Sequence, residues 1–140
     1  MEHLNMDTPG AYVLTTRSIT VSVEPEFIDE QSEPEDHRYF WAYHVRIENQ
    51  GGEAVQLKSR YWHITDELGH VQEVSGAGVI GEQPHLEPGE YFEYSSGTPL
   101  GTPSGIMKGY YVMEAASGEL FHADIPVFSL DSPYHNRQLH

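Results

Sequence analysis

The sequence predicts an all-β protein, an antiparallel β-sandwich of the immunoglobulin or fibronectin type III-like kind, and three observations lead to that fold class. Short segments alternate between apolar and polar residues, which is the period of a strand with one buried face. The 13 glycines and 9 prolines are scattered along the 140 residues and leave no room for long helices. Turn signals such as Glu87-Pro88-Gly89 separate the segments. About seven or eight strands joined by such turns favour a sandwich.

The predicted strands follow one another along almost the whole chain. The alternation is clearest in 39–49, where Trp41, Tyr43 and Ile47 share one face and a more polar set forms the other. Pro126 predicts that the last strand is an edge strand or ends there, since proline cannot donate to a ladder. In chain order the predicted strands span 12–16, 18–27, 39–49, 55–65, 71–74, 91–95, 106–113 and 120–128.

The segment 55–65 carries apolar residues in both phases of its alternation. Strict period 2 puts Trp62 and Ile64 on the face opposite to Leu57, Tyr61 and Val55. We therefore expect both faces of this strand to be partly covered. A small sandwich cannot bury both sides of so aromatic a segment, so some aromatic surface should remain for a protein partner. Tyr61 and Trp62 are the residues that we expect such a partner to contact.

The charge balance and the residue usage exclude several functions. With 22 acidic residues against 7 basic ones the formal net charge is −15, so no basic face can be assembled for a nucleic acid. The absence of cysteine excludes disulfides, thiolate metal sites and cysteine nucleophiles. No stretch approaches the about 18 consecutive apolar residues of a membrane span, and the N-terminus has no signal-peptide pattern. We expect a cytoplasmic protein.

One domain is expected, and nothing in the sequence indicates an enzyme. The domain should span 12–130, between a loosely held N-terminal segment, 1–11, and a polar C-terminal tail, 131–140. The segment Gly101-Thr102-Pro103-Ser104-Gly105 spaces its glycines wrongly for a nucleophile elbow and opens no helix. Paired carboxylates occur everywhere in so acidic a chain, so they point to no catalytic residue.

A glycine-rich segment matches the pattern G-x-G-x-x-G directly after a predicted strand. In a dinucleotide fold this pattern opens a helix, but Pro84 and Pro88 follow too closely for one. Two interpretations remain. The segment is a long loop whose glycines allow positive φ or close approach, or its backbone N–H groups form a nest that holds a phosphate. The candidate residues of the nest are Gly76, Ala77, Gly78 and Gly81, with Arg60 or Arg46 as a possible cation beside them.

An acidic run between two predicted strands is a weak candidate for a divalent cation. Its carboxylates and its histidine are oxygen and nitrogen ligands of the right kind, but their spacing fits no known cage, and the run has no glycine for the sharp turn of an EF-hand. The other interpretation is a solvated loop. No other cofactor is expected. The candidate ligands are Asp29, Glu30, Glu33, Asp36 and His37.

Several stretches resemble the ApaG family, bacterial proteins often described as cobalt and magnesium efflux proteins. The most specific are Arg60-Tyr61-Trp62 and Gly81-Glu82-Gln83-Pro84, and the resemblance extends from about 12 to 130. It implies a fibronectin type III-like sandwich, with related domains that look like protein-interaction modules. It also implies a pyrophosphate-binding role proposed for the glycine-rich loop, here Gly76, Gly78 and Gly81. Efflux itself conflicts with the missing membrane segment, so any link to cobalt or magnesium resistance is expected to be indirect.

Two functional hypotheses follow. The favoured one is a non-enzymatic module that binds a protein through exposed aromatic and acidic surface. The alternative is binding of pyrophosphate or a nucleotide at Gly76–Gly81, where a divalent cation or Arg60 would have to offset the negative field of the protein.

Overall fold

Two antiparallel sheets pack face to face in the computed structural model of this chain, which describes residues 11–135. The predicted fold class is therefore confirmed. The strands are β1 (Tyr12–Thr16), β2 (Ile19–Phe27), β3 (Tyr39–Asn49), β4 (Val55–Asp66), β5 (Val71–Ala77), β6 (His85–Leu86), β7 (Tyr91–Leu100), β8 (Ser104–Ala115) and β9 (Leu120–Asp131). Two single-turn 3-10 helices, Asp29–Gln31 and Pro34–Asp36, lie between β2 and β3.

The strand order places four strands at sheet edges. The first sheet runs β1-β2-β3-β7 and the second runs β5-β4-β8-β9, with the short β6 pairing with β4 beyond the end of β5. On one side of the sandwich β1 lies alongside β9, and the Tyr12 and Phe128 rings are 5.7 Å apart. This side is closed. The opposite side carries the edges of β5 and β7.

The core forms where the apolar faces of the two sheets meet. In β3 every second residue is buried, as the alternation predicts. Trp62 lies at the centre of the core, with its ring 4.9 Å from that of Tyr43 and 6.1 Å from that of Phe128. The Tyr43–Trp62 pair joins the two sheets across the sandwich, whereas Trp62 and Phe128 both belong to the second sheet.

A β-bulge in β4 corrects the prediction for this strand. The register with β8 shifts between Leu57 and Ser59, so Lys58 is an extra residue and the alternation changes phase there. Leu57 and Trp62, which strict period 2 places on opposite faces, are both buried in the core. Tyr61, predicted to share a face with Leu57, points outward instead. The prediction was wrong because strict alternation takes no account of an inserted residue, which reverses the face of every residue that follows it.

A second bulge lies in β9, which the strand order confirms as an edge strand. Ile125 pairs with Gly109 and Phe128 with Met107, so Pro126 and Val127 together oppose one residue of β8. The bulge lets proline occupy the strand, because its missing N–H falls where the ladder is already interrupted. It also brings Ile125 and Phe128 to the same buried face.

The structure extends several predicted strands and places part of the predicted tail. β5, β7 and β9 continue beyond 74, 95 and 128, and β6 is a strand that the sequence did not predict. At the start of the tail, the ring of Tyr134 packs at 6.1 Å from Phe27 and 6.0 Å from Tyr39. The remainder of the tail and residues 1–10 lie outside the described residues.

The bulge predicts that Leu57 contributes as much as a conventional core residue. Leu57→Ala should lower the free energy of unfolding by about 2–5 kcal/mol, because it leaves a cavity beside a fully buried site. Leu120→Ala, at an exposed position, should change it by less than about 0.5 kcal/mol. Urea unfolding measures both, and equal losses would contradict the burial of Leu57.

Candidate functional site

The glycine-rich segment folds as the end of β5 followed by a tight turn. Val79 and Glu82 exchange backbone hydrogen bonds of 2.8 Å in both directions. Between them Ile80 and Gly81 have φ of 40° and 79°, and positive φ at both central residues is the signature of a type I′ turn. Gly78, at φ 63°, donates to the carbonyl of Lys58 at 2.9 Å. No helix follows, as predicted.

Arg60 lies over this segment. Its Nη1 donates to the carbonyl oxygens of Ala77 at 3.1 Å and of Gly78 at 2.9 Å. A Cβ on Gly76, which pairs with Arg60 across the strands, would lie 3.1 Å from the same nitrogen. Glycine at 76 therefore makes room for the guanidinium, and the guanidinium locks the start of the turn.

These bonds determine which backbone groups an anion could reach. The carbonyls of Ala77 and Gly78 point at Arg60, and the N–H of Val79 is used inside the turn. The N–H groups of Ile80 and Gly81, at the tip, are bonded to no acceptor within residues 11–135. Within the same residues no carboxylate lies at ion-pair distance from Arg60. The turn thus offers two N–H donors and one cation without an acidic partner, rather than a continuous nest.

A row of stacked rings crosses the outer face of the second sheet. Tyr61 stacks on Tyr110 with ring centroids 5.0 Å apart, and Tyr110 stacks on His122 at 3.9 Å and an interplanar angle of 9°. At the β5 end of the row the Tyr61 hydroxyl donates to Glu73 Oε2 at 2.5 Å. This hydrogen bond raises the pKa of Tyr61 and holds the Glu73 carboxylate in one position on the surface.

Large aliphatic side chains are exposed on the same face of the sheet as this row. They are between 50 and 61% exposed and come from β5, β8 and β9: Val71, Ile106, Leu120 and Val127. We call this surface the outer face: the stacked rings together with these four aliphatic residues. Such a concentration of exposed apolar groups on one face of a small domain is typical of a protein-binding surface.

The two predicted partner-contact residues separate in the structure. Tyr61 belongs to the outer face, whereas Trp62, 2% exposed, is a core residue and reaches no partner. Neighbours along a strand point to opposite faces, so only one of them could be on the surface. The sequence did not point to Tyr110, His122 and Ile106, although the alternation of β8 already placed Tyr110 and Ile106 on one face. The stacking with His122 depends on strand register, which the alternation does not supply.

The candidate cation ligands are spread along the two 3-10 helices. Asp29 and Glu30 begin the first helix, Asp36 ends the second, and His37 follows it at φ 55°. All five candidates are exposed, and within residues 11–135 no group of three or more histidine, aspartate or glutamate side chains is arranged to hold a metal ion. The expected cation site stays a prediction.

A serine, a histidine and a glutamate are linked across the first sheet. His44 Nδ1 is 2.6 Å from Ser95 Oγ, and its Nε2 is 2.9 Å from Glu26 Oε1. The order of groups resembles a hydrolytic triad, but all three lie on a solvent-facing strand surface. Water can replace each of these hydrogen bonds there, so we interpret them as cross-strand pairs.

Three tyrosines lie on the inner side of Arg60. Tyr94 and Tyr111 share a hydrogen bond of 2.5 Å between their hydroxyls, and Tyr43 lies beside them. Burial raises the pKa of all three hydroxyls, and the charge of Arg60 partly offsets this. Arg60 therefore connects the margin of the core with the glycine-rich turn.

The fold and these surfaces define a class: a small antiparallel β-sandwich of the fibronectin type III-like kind, with an arginine-locked glycine turn at one margin. Residues 29–115 match the family model of the ApaG domain. Protein ApaG of Parvibaculum lavamentivorans is 63% identical over 129 residues, covering 92% of this chain and 99% of that protein. Protein ApaG of Rhizobium meliloti is 62% identical over 122 residues, covering 87% of this chain and 94% of that protein. The chain belongs to the ApaG domain family.

A solved structure agrees with this assignment. The crystal structure of the putative ApaA protein from Bordetella pertussis is similar to this chain with a TM-score of 0.80 and 50% sequence identity, covering 82% of this chain and 94% of that one. None of the helical turns within residues 11–135 has the length or the apolar composition needed to cross a bilayer.

The tyrosine cluster predicts a loss of stability at alkaline pH. The folded state keeps these hydroxyls protonated above their ordinary pKa of 10, whereas the unfolded chain releases the protons. The stabilisation is complete below about pH 10 and falls as the pH rises above it. Urea midpoints at about pH 8 and about pH 11 measure the fall. Tyr111→Phe should reduce the decrease in the urea midpoint between these two pH values. An equal decrease in this variant and in the unmodified protein would contradict the role of the cluster.

Proposed function

We propose that this chain is a non-enzymatic module that binds a protein partner through the outer face of its second sheet. The observation that carries the proposal is the stack of the half-exposed Tyr61 and Tyr110 with the exposed His122, on a face that also carries four exposed aliphatic residues. A surface of this kind favours association because burying it removes apolar area from water. A role in cobalt or magnesium resistance would then be indirect, through the partner.

The composition of the outer face supports a protein rather than a small molecule as ligand. The face is the broad surface of a sheet, with aromatic rings that bury much area at low entropic cost. Charged groups lie among the apolar ones, including Glu73, Lys108 and an ion pair of 3.7 Å between Lys58 and Glu114. Such charges select among partners and orient them, while the apolar groups supply most of the binding free energy.

Two surface substitutions test this proposal. Tagged protein should capture a stoichiometric partner from lysate at low salt, and Ile106→Glu or Val127→Glu should abolish the capture by placing a charge in the apolar face. Val13→Glu is the matched control, because Val13 is 50% exposed, as Ile106 is, but belongs to the first sheet. Equal capture by all three variants, or no stoichiometric partner at all, would refute the proposal.

A second candidate function is phosphate binding at the glycine-rich turn. It is favoured by the position of Arg60, whose guanidinium lies over Gly76 and has no carboxylate partner within residues 11–135. The N–H groups of Ile80 and Gly81 could supply further donors. The net charge of −15 opposes a polyanion, so this function would require a divalent cation or the local field of Arg60.

Calorimetry tests this candidate with pyrophosphate, ATP and diadenosine tetraphosphate, each with and without magnesium. Binding should weaken about tenfold in Arg60→Lys, which loses the planar donor pair. Arg17→Lys is the control, since Arg17 pairs with Glu119 in an exposed position away from the turn. No heat at millimolar ligand in either condition would rule the candidate out.

A further inference from the structure

The outward edge of β5 differs from the other sheet edges of this protein. β1 lies alongside β9, and β9 also carries Pro126 and a bulge. β7 contains Pro99 near its end. β5 contains no proline, no lysine and no bulge, its seven residues pair with β4 without a register shift, and most of them are exposed. Proteins usually protect such an edge, because its unpaired backbone groups form a template for another strand.

The hydrogen bonds at both ends of the β4–β5 ladder show which groups face outward. Asp66 N–H donates to His70 O at 3.0 Å, and Gly78 N–H donates to Lys58 O at 2.9 Å. Hydrogen-bonded and non-hydrogen-bonded pairs alternate along an antiparallel ladder. Counting inward from either end, Gln72, Val74 and Gly76 bond to β4. The N–H and C=O groups of Val71, Glu73 and Ser75 therefore point away from the sheet.

The side chains of the same three residues lie on the side of the sheet that carries the outer face. This follows because Val74, which alternates with them, pairs with the buried Trp62. Glu73 is held in position by Tyr61, and only one of its two carboxylate oxygens receives that bond. A strand added beside β5 would place a side chain directly opposite Glu73. In this position an opposite charge stabilises the pair and a like charge destabilises it.

We propose that β5 is the site where an extended segment of a partner protein adds as a further strand, with a lysine or arginine opposite Glu73 and an apolar residue facing Val74. This inference rests on the proposed function and specifies its mode of binding. Charge complementarity selects a basic segment over a second copy of this chain. Two copies paired antiparallel about Glu73 would bring the two carboxylates together, and each chain carries a net charge of −15.

Strand addition explains why the edge and the outer face adjoin. The backbone bonds would supply affinity that is independent of sequence, and the pairing with Glu73 would supply selectivity. The other side chains on that face of the added strand would lie beside Val71 and Ser75 and would extend the surface of the sheet toward the partner. The edge and the outer face thus form one continuous binding surface.

The test uses the full-length protein labelled with ¹⁵N and a short capped peptide of alternating lysine and valine, which as a strand presents all lysines on one face. The peptide should shift and protect from exchange the amides of Glu73 and Ser75. Glu73→Lys should weaken binding about five- to tenfold and should make the matching glutamate–valine peptide the better ligand. Glu35→Lys, an equal charge change away from the edge, should alter affinity less than about twofold.

Three results would overturn strand addition: no response at millimolar peptide, protection confined to other amides, or equal effects of Glu73→Lys and Glu35→Lys. Its failure is distinguishable from failure of the proposed function. If Ile106→Glu abolishes partner capture while the amides of β5 do not respond, the outer face binds a partner and strand addition is wrong. A response at β5 with capture unaffected by Ile106→Glu would support strand addition and refute the role of the outer face.

Discussion

The extra residue at Lys58 is the constraint on which both the core and the functional surfaces depend. β4 has to direct Leu57 inward in its first half and Trp62 inward in its second half, although an odd number of positions separates them. A regular strand cannot do this. One inserted residue solves the problem, and the same change of phase turns Tyr61 outward and Arg60 inward. The stacked rings on the surface and the guanidinium over the glycine-rich turn thus have one origin.

Much of the fold could be predicted from the sequence, because alternation and turn residues report directly on exposure and chain reversal. The strands of the first half of the chain and the edge position of the strand with Pro126 followed from local patterns. The predicted shared face of Leu57 and Tyr61 was wrong, since it depended on counting across a bulge that no single residue marks. The position of a bulge depends on how the side chains on both faces of a strand pack against their neighbours. The order of residues along the chain does not give this information.

The candidate sites were predicted less completely than the fold. The glycine motif pointed to Gly76–Gly81 and named Arg60, and the structure brings these groups together. The stack of Tyr110 on His122, in contrast, joins strands whose relative register depends on the bulges and the turns. Sites that lie along one segment can be read from sequence, whereas sites that cross a sheet require the pairing of its strands.

The net charge of −15 acts differently at different places in this structure. Averaged over the surface it is largely screened at physiological salt. At the margin of the core, the cation of Arg60 is held by two carbonyl dipoles instead of a carboxylate, so its positive field is not cancelled locally. On the outer face, Glu73 is the fixed negative group. Arg60 and Glu73 point to opposite faces of the second sheet, so the sheet itself separates the positive group from the negative one.

The closed side of the sandwich has a consequence for how the domain can be connected. β1 and β9, the first and last strands, lie side by side, and the first strand begins where the ring of Tyr12 packs on that of Phe128. The edge of β5 lies on the opposite side of the second sheet. Beyond β9, however, the chain returns toward that edge, because His135 Nδ1 is 3.5 Å from Glu67 Oε1 in the turn between β4 and β5. A domain attached on the C-terminal side would therefore begin closer to the open edge of β5 than one attached on the N-terminal side, where β1 lies on the closed side of the sandwich.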